Sequence, residues 1–276
     1  MKFDAHQHFW KVSDAADYPW MSSARNDLHR DFQPEHLAPL LARHGVEGTL
    51  LVQASPTVAE THRLLAIARA TPFVRGVVGW CDFEDPNVSQ VIDALACSPL
   101  LRGLRPMVQD IPDDDWLLRD ELTCAFDAMV RHGLVFDALV HPRHLARLAV
   151  VSERHPALSI VVDHGAKPAI QSGQLDPWRR DIARVAERAG TFCKLSGLVT
   201  ECGTDWSVPR LRLPVDHLLS CFGPQRLLWG SDWPVVNLAG GYDAWFESAC
   251  ILLANLSSGE REAVFGANAR RVYFGE

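Results

Sequence analysis

The amino-acid sequence predicts an α/β protein, a single domain over residues 1–276 that folds as a (β/α)8 TIM barrel. Its length of 276 residues is close to the length of about 250 that such barrels usually have. Short apolar segments rich in β-branched residues alternate along the chain with longer segments of helical period. Several of the short segments are apolar throughout, as expected for parallel strands buried on both faces. An open, doubly wound sheet is the alternative, because periodicity alone does not establish that the sheet closes.

Eight segments are predicted to be strands and nine to be helices. The strand candidates are 2–6, 48–54, 74–80, 101–107, 134–140, 158–164, 191–197 and 227–233. The helix candidates are 34–44, 57–70, 87–97, 115–132, 143–155, 175–189, 209–222, 242–257 and 258–274. Eight strand–helix units in a chain of this length favour a closed barrel over an open sheet.

The amino-acid composition indicates which classes of protein are compatible with this sequence. Apolar residues make up 47% of the chain and charged residues 22%, which is ordinary for a globular domain with a large core. The 27 basic and 34 acidic residues give a net charge of −7 and form no basic run, so we expect no nucleic-acid partner and no membrane partner. No apolar stretch approaches the roughly 18 residues of a membrane span. The first residues resemble a strand rather than a signal peptide, so we expect a cytoplasmic protein.

The seven cysteines are scattered singly along the chain. They form no C-x-x-C pair, so the sequence supports neither a disulfide framework nor a zinc knuckle. We expect most of them to be small buried hydrophobic residues.

Polar residues cluster at the carboxyl ends of the predicted strands. In a parallel barrel these ends meet at one face, where the active sites of such enzymes lie. The sequence therefore predicts a site at this face, formed from His6, His8, Gln53, Trp80, Asp82, Arg105, His141, His164, Ser196 and Asp232.

The first of these strands ends in a pair of histidines, in the segment "FDAHQHFW". His6 and His8 are two residues apart and share one face of an extended strand. Such a pair can bind one metal ion or donate two hydrogen bonds to one substrate oxygen. The alternative is that backbone carbonyls at the strand end satisfy both rings.

Two later segments offer further catalytic residues. In "VVDHGAKP" (161–168), His164 is predicted to project into the mouth of the barrel, while Asp163 points away or orients a neighbour. In "LLWGSDWP" (227–234), Asp232 lies in apolar and aromatic surroundings. A carboxylate there needs a cation, a metal ion or hydrogen-bond donors, and it is a candidate general base for activating water.

Other residues at these strand ends are candidates for binding a substrate. Arg105 suits the capture of a carboxylate or of polar substrate oxygens, although an ion pair with one of the acidic residues 113–115 is an equal alternative. The tryptophans Trp80, Trp116, Trp206 and Trp233 are candidates for the pocket wall. The remaining predicted substrate contacts are Gln53, His141, Lys194 and Ser196, the last two on one face of "KLSG".

Four motifs in this order, "DAHQHFW", "DHGAKP", "KLSG" and "GSDWP", resemble the amidohydrolase superfamily. Within it, the chain is similar to the amidohydrolase-related (amidohydrolase 2) branch that includes sugar-lactone lactonases such as L-fuconolactonase and L-rhamnonolactonase. The resemblance extends from Phe3 to about Phe274. It implies a distorted barrel and the hydrolysis of a sugar (aldono)lactone, a cyclic ester of a sugar acid, in sugar catabolism.

The resemblance also implies roles for single residues. His6 and His8 correspond to the histidine pair of the first strand, His164 to the histidine of the sixth and Asp232 to the aspartate of the eighth. Binuclear members carry a bridging Lys or Glu after the fourth strand, where this chain has "LRP", so a two-metal site is not expected. Whether His141 is the metal ligand of the fifth strand or part of the following loop stays open.

These residues suggest a mechanism in which Asp232 takes a proton from water, which attacks the lactone carbonyl. Either the histidines, or one Zn²⁺ held by His6, His8 and Asp232, polarise that carbonyl; both a mononuclear zinc enzyme and a metal-independent one are compatible with the sequence. The alternatives are a metal-dependent decarboxylase, another carbonyl hydrolase, or a barrel that binds a sugar acid without catalysis. The expected partner is a small-molecule sugar lactone.

Overall fold

The computed structural model describes residues 1–13, 18 and 27–276. Eight parallel strands form one sheet in which each strand pairs with the next along the chain, β1 to β8. Their bounds are β1 Lys2–Gln7, β2 Val46–Val52, β3 Val74–Gly79, β4 Leu101–Leu104, β5 Val135–Ala138, β6 Ile160–Val162, β7 Thr191–Leu195 and β8 Leu227–Trp229. In register, Asp137 of β5 is opposite Val161 of β6, and Leu195 of β7 is opposite Trp229 of β8.

The sheet closes between its first and last strands. Gln7 pairs with Trp233 in a parallel bridge. The backbone N–H of His8 donates to the carbonyl of Trp233 (2.7 Å), and the N–H of Asp232 donates to the carbonyl of His6 (2.8 Å). The prediction of a (β/α)8 barrel rather than an open sheet is confirmed.

Helices connect the strands on the outside. Their bounds are α1 Pro34–His44, α2 Val58–Ala70, α3 Val88–Ala96, α4 Thr123–Arg131, α5 Leu145–Arg154, α6 Asp176–Ala186, α7 Leu198–Glu201, α8 Val208–Phe222, α9 Gly241–Leu252, α10 Ser258–Glu262 and α11 Asn268–Phe274. A π-helical turn, Ala263–Ala267, joins α10 to α11. Among the described residues, no helix combines the length and the apolar character that crossing a membrane requires.

The predicted elements exist, but several bounds differ. The predicted helix 115–132 begins only at Thr123, because Asp113 binds the backbone N–H of Asp115 and the side chain of Arg119, which favours short 3₁₀ turns there. Helix α7 was not predicted. The predicted strands 101–107 and 227–233 end at Leu104 and Trp229, because the chain leaves the sheet before it reaches the polar residues of each motif.

Apolar side chains fill the interior of the barrel near the amino ends of the strands, and charged side chains lie closer to their carboxyl ends. Phe3, Leu50 and Val135 belong to a buried apolar cluster that includes Tyr273 of α11. The ring of Phe274 lies 5.6 Å from that of Phe3 and 4.9 Å from the guanidinium of Arg102, so α11 covers the amino ends of the strands. The opposite end is left for the functional residues.

The cysteines are free thiols. Cys81, Cys193 and Cys202 are buried and Cys221 is half-buried, but Cys97, Cys124 and Cys250 are exposed, so the expectation that most are buried is wrong.

Candidate active site

The four predicted catalytic residues meet at the carboxyl end of the barrel. Nε2 of His6 lies 3.2 Å from Nε2 of His8. Oδ1 of Asp232 lies 3.4 Å from Nε2 of His8, 3.8 Å from Nε2 of His6 and 4.0 Å from Nε2 of His164. All four residues are buried. Side chains from three different strand ends therefore form one cluster, which we call the His–Asp cluster.

The closure of the barrel places Asp232 in this cluster. The residue follows β8 and has a left-handed backbone (φ 58°), a conformation that is uncommon outside glycine. Its backbone N–H donates to the carbonyl of His6, and the carbonyl of Trp233 accepts from the backbone N–H of His8. The hydrogen bonds that join β1 to the chain after β8 thus also bring the carboxylate to the imidazoles.

A hydrogen bond orients the His8 ring. Nδ1 of His8 lies 2.8 Å from the carbonyl oxygen of Val52. A carbonyl only accepts, so Nδ1 carries a proton, and Nε2 is the nitrogen that faces His6 and Asp232.

The His6 ring has a cation beside each of its nitrogens. Arg105 Nη1 lies 3.3 Å from Nε2 of His6, and Lys194 Nζ lies 3.2 Å from Nδ1. Nδ1 of His6 also lies 3.4 Å from Oδ1 of Asp163. Burial lowers the pKa of His6 well below its usual value, so the ring is neutral. Nε2 of His6 and Nε2 of His8 therefore face the same space.

This donor set fits a metal ion. Nε2 of His6, Nε2 of His8 and Oδ1 of Asp232 satisfy the distances expected of a shared metal ion, all within 4.8 Å of one another. Two imidazoles with a carboxylate are ligands that Zn²⁺ prefers. His6, Asp163 and His164 satisfy the same distances, but Asp163 is already paired with Arg105 and Lys194.

Electrostatics keep Asp232 ionised. Burial alone would raise its pKa, but the imidazoles of His164, His8 and His6 outweigh that effect and hold the pKa below its usual value. Burial also lowers the pKa of His164 to about 4, so this ring is neutral at pH 7. The cluster therefore contains an ionised carboxylate beside the neutral imidazoles of His6 and His164.

A buried ionic network supports His6 from inside the barrel. Lys194 Nζ contacts the carboxylate of Asp137 and lies 3.0 Å from Oδ1 of Asp163 and 3.2 Å from Nδ1 of His6. Asp163 Oδ2 accepts from Arg105 (3.1 Å), and Asp137 Oδ1 accepts from the hydroxyl of Tyr273 (2.6 Å). Burial alone would raise the pKa of Asp163, but Lys194, His6 and Arg105 keep it well below its usual value. We call these residues the Lys194 network.

Several predicted substrate contacts lie behind the cavity wall. Lys194 is fully buried in its network. Ser196 Oγ lies 2.9 Å from Nδ1 of His164. Gln53 Nε2 donates to the carbonyl of Arg105 (2.6 Å), and Arg105 donates back to the carbonyl of Gln53. The structure thus places Lys194, Ser196 and Gln53 where they hold other site residues in position.

Trp80 and His141 lie outside the cluster. Trp80 is half-buried; its backbone N–H donates to Oγ1 of Thr61, and its carbonyl accepts from the same hydroxyl. His141 is half-buried, and its backbone N–H donates to Nδ1 of His144 (3.1 Å). Neither is among the described residues that line the cavity described next.

A cavity of about 430 Å³ opens above the His–Asp cluster, a volume that suits a small molecule. His8, Arg105, His164 and Asp232 line it, as the sequence predicts. Trp10 contributes the aromatic wall in place of the four predicted tryptophans. Sequence reasoning also missed the polar wall residues Gln109, Lys167, Thr200, Glu201 and Thr204.

Arg105 does not pair with the acidic run that was its alternative partner. Asp113, Asp114 and Asp115 instead pair with Arg119, Arg143 and Arg147 on the surface. The sequence contains a signal for each of the two aspartates of the Lys194 network. Asp137 interrupts the apolar strand "LVFDALV", and Asp163 directly precedes His164.

The sequence profile of the amidohydrolase family matches residues 3–275. The chain belongs to the amidohydrolase family. It is 44% identical, over 278 aligned positions, to an L-fucono-1,5-lactonase of Burkholderia ambifaria, covering 99% of this chain and 95% of the relative. It is 35% identical to an L-fucono-1,5-lactonase of Burkholderia multivorans, covering 99% and 96% of the two chains.

Solved structures agree with this family. A crystal structure of an amidohydrolase from Burkholderia multivorans with bound zinc has a TM-score of 0.94, is 34% identical and covers 99% of both chains. The 5-carboxyvanillate decarboxylase of Sphingomonas paucimobilis has a TM-score of 0.66 at 17% identity, covers 99% of this chain and 98% of its own, and shares the fold alone. The prediction that the chain is an amidohydrolase similar to sugar-lactone lactonases is confirmed.

We predict that Lys194→Met lowers the free energy of unfolding by about 3–5 kcal/mol, because it leaves the buried carboxylate of Asp137 without its cation and that of Asp163 with Arg105 alone. Urea denaturation of the variant checks this. Lys11→Met, at an exposed lysine, is the matched control and should change stability by less than about 0.5 kcal/mol. A Lys194→Met protein within 1 kcal/mol of the wild type, by the same rough scale, would contradict a central role for the network.

Proposed function

We propose that the protein opens the ring of a sugar lactone by hydrolysis and releases the sugar acid, with L-fucono-1,5-lactone as the first substrate to test. The observation that carries this proposal is the convergence of two imidazole nitrogens and an ionised carboxylate at the base of a small-molecule cavity. The two L-fucono-1,5-lactonases that are 44% and 35% identical over nearly the whole chain support the choice of substrate.

The reaction needs a proton acceptor beside the attacking water. Asp232 is ionised and lines the cavity, so its carboxylate can take a proton as the water oxygen adds to the lactone carbonyl carbon. The bond between that carbon and the ring oxygen then breaks, and the proton held by Asp232 passes to the ring oxygen. Water is consumed, one hydroxyl and one carboxylic acid are formed, and the carboxylate is regenerated.

The orientation of the histidines favours one of the two roles left open by the sequence. The proton on Nδ1 of His8 is engaged by Val52, and Nε2 of His6 and Nε2 of His8 face Asp232 Oδ1 at 3.8 and 3.4 Å. Both are oriented as ligands. We therefore infer that His6, His8 and Asp232 hold a single Zn²⁺. When bound, the metal ion would supply Lewis acidity to the carbonyl and to water.

A decarboxylase on the same barrel is less well supported. That alternative called for a metal-binding histidine at the fifth strand, and His141 belongs to neither of the metal-binding groups found in the described residues. The 5-carboxyvanillate decarboxylase of Sphingomonas paucimobilis shares only the fold, at 17% identity.

We predict that Asp232→Asn lowers kcat for L-fucono-1,5-lactone by about 10²–10⁴-fold, because the amide cannot accept the proton of water. Proton release in a pH-stat measures the rate. Asp216→Asn makes the same change at an exposed residue of α8 and should leave the rate unchanged. An Asp232→Asn enzyme that keeps more than about a tenth of kcat would refute the role of Asp232 as base.

A second prediction concerns the metal ion. Chelator-treated protein should bind one Zn²⁺ in a calorimetric titration and recover lactonase activity on loading. His8→Ala should weaken this binding by more than about tenfold, since a ligand is lost. His62→Ala, at an exposed residue of α2, should not. Full activity in the stripped wild type, or equal zinc binding by both variants, would contradict the assignment.

A further inference from the structure

The chain leaves β6 through an unusual turn. Four consecutive residues have positive φ: His164 (54°), Gly165 (58°), Ala166 (61°) and Lys167 (51°). Only one of them is glycine, so three residues are held in a conformation that side chains disfavour. Such backbone persists where the surroundings enforce it, and it is concentrated at functional sites.

This left-handed turn places two side chains side by side. The backbone N–H of Lys167 donates to the carbonyl of His164 (2.9 Å), which closes a turn of three residues. Residues three apart in such a turn lie on the same side. Both His164 and Lys167 line the cavity, whereas Ala166 between them is buried.

Lys167 differs from Arg105, another cation of the cavity wall, in having no partner among the residues that the structure describes. The guanidinium of Arg105 is engaged by Asp163, His6 and the carbonyl of Gln53. No carboxylate oxygen of the described residues lies within 4.0 Å of the Lys167 ammonium, and its side chain makes no hydrogen bond to them. Lys167 also contributes to the lowered pKa values of His141 and His164, after burial, so its charge lies near both rings. The sequence makes Arg105 one candidate for carboxylate capture, whereas among the described residues Lys167 is the cavity cation without a partner.

Ring opening creates the charge that such a cation would recognise. A sugar lactone is neutral. After water adds to the carbonyl carbon and the ring carbon–oxygen bond breaks, the acid loses its proton at neutral pH and becomes a carboxylate. An unpaired ammonium in a partly buried cavity attracts that anion more strongly than the neutral lactone.

We propose that Lys167 contacts the substrate and binds the carboxylate that ring opening produces. The proposal rests on the function proposed above, because it takes the opened sugar acid as its ligand. Lys167 thereby makes the cavity distinguish the anionic product from neutral sugars of the same hydroxyl pattern.

Calorimetric binding of two ligands to chelator-treated protein tests this without turnover. Sodium L-fuconate carries the carboxylate, and L-fucitol has the same hydroxyls with an alcohol in its place. The wild type should bind L-fuconate more tightly. Lys167→Met should raise the Kd for L-fuconate by about tenfold or more and leave the Kd for L-fucitol unchanged, because one charge-assisted hydrogen bond is lost. Lys167→Arg should keep most of the preference.

Three results would overturn the proposal. The first is a Kd for L-fuconate that is unchanged in Lys167→Met, and the second is an equal rise in the Kd values for L-fuconate and L-fucitol. The third is a wild type that does not bind L-fuconate more tightly than L-fucitol. The lactonase assay of the wild type is scored separately. The wild type could open no lactone while Lys167→Met binds L-fuconate more weakly and L-fucitol as before. In that case the proposed function fails and Lys167 remains an anion-binding residue. If the lactone is opened and Lys167→Met binds both ligands as the wild type does, only the assignment of Lys167 fails.

Discussion

The contact of Lys194 with Asp137 and Asp163 is the interaction on which the site depends. Removing these charges from water is costly, and the cost is offset only while each charge keeps its partners. The partners come from β5, β6, β7 and, through Tyr273, from α11 at the far end of the barrel. Because Asp163 and Lys194 both lie beside Nδ1 of His6, the orientation of that ring is a property of the whole barrel.

The second constraint is the closure of the sheet. The backbone hydrogen bonds between β1 and the chain after β8 set the distance between Asp232 and the two histidines. Val52 on β2 then selects which nitrogen of His8 faces the cavity. A barrel that did not close would separate the carboxylate from the imidazoles, so the fold and the proposed chemistry share the same hydrogen bonds.

Much of the fold and the centre of the site could be predicted from the sequence, for physical reasons. Parallel strands that are buried on both faces consist of apolar runs, and the polar residues at the ends of these runs meet at one face of the barrel. This rule predicts the positions of His6, His8, His164 and Asp232. What could not be predicted is which partners a side chain meets inside the barrel and which way it points once a strand has ended. Lys194 faces its buried partners rather than the cavity, and Lys167 reaches the cavity through a left-handed turn with a single glycine.

The crystal structure of the Asp232→Asn variant with intact L-fucono-1,5-lactone tests the central claim most directly. The account predicts that the lactone occupies the cavity with its carbonyl between Asn at position 232, the imidazoles of His6 and His8, and the ammonium of Lys167. A lactone bound elsewhere, or bound in the cavity with its carbonyl directed away from this cluster, would contradict it.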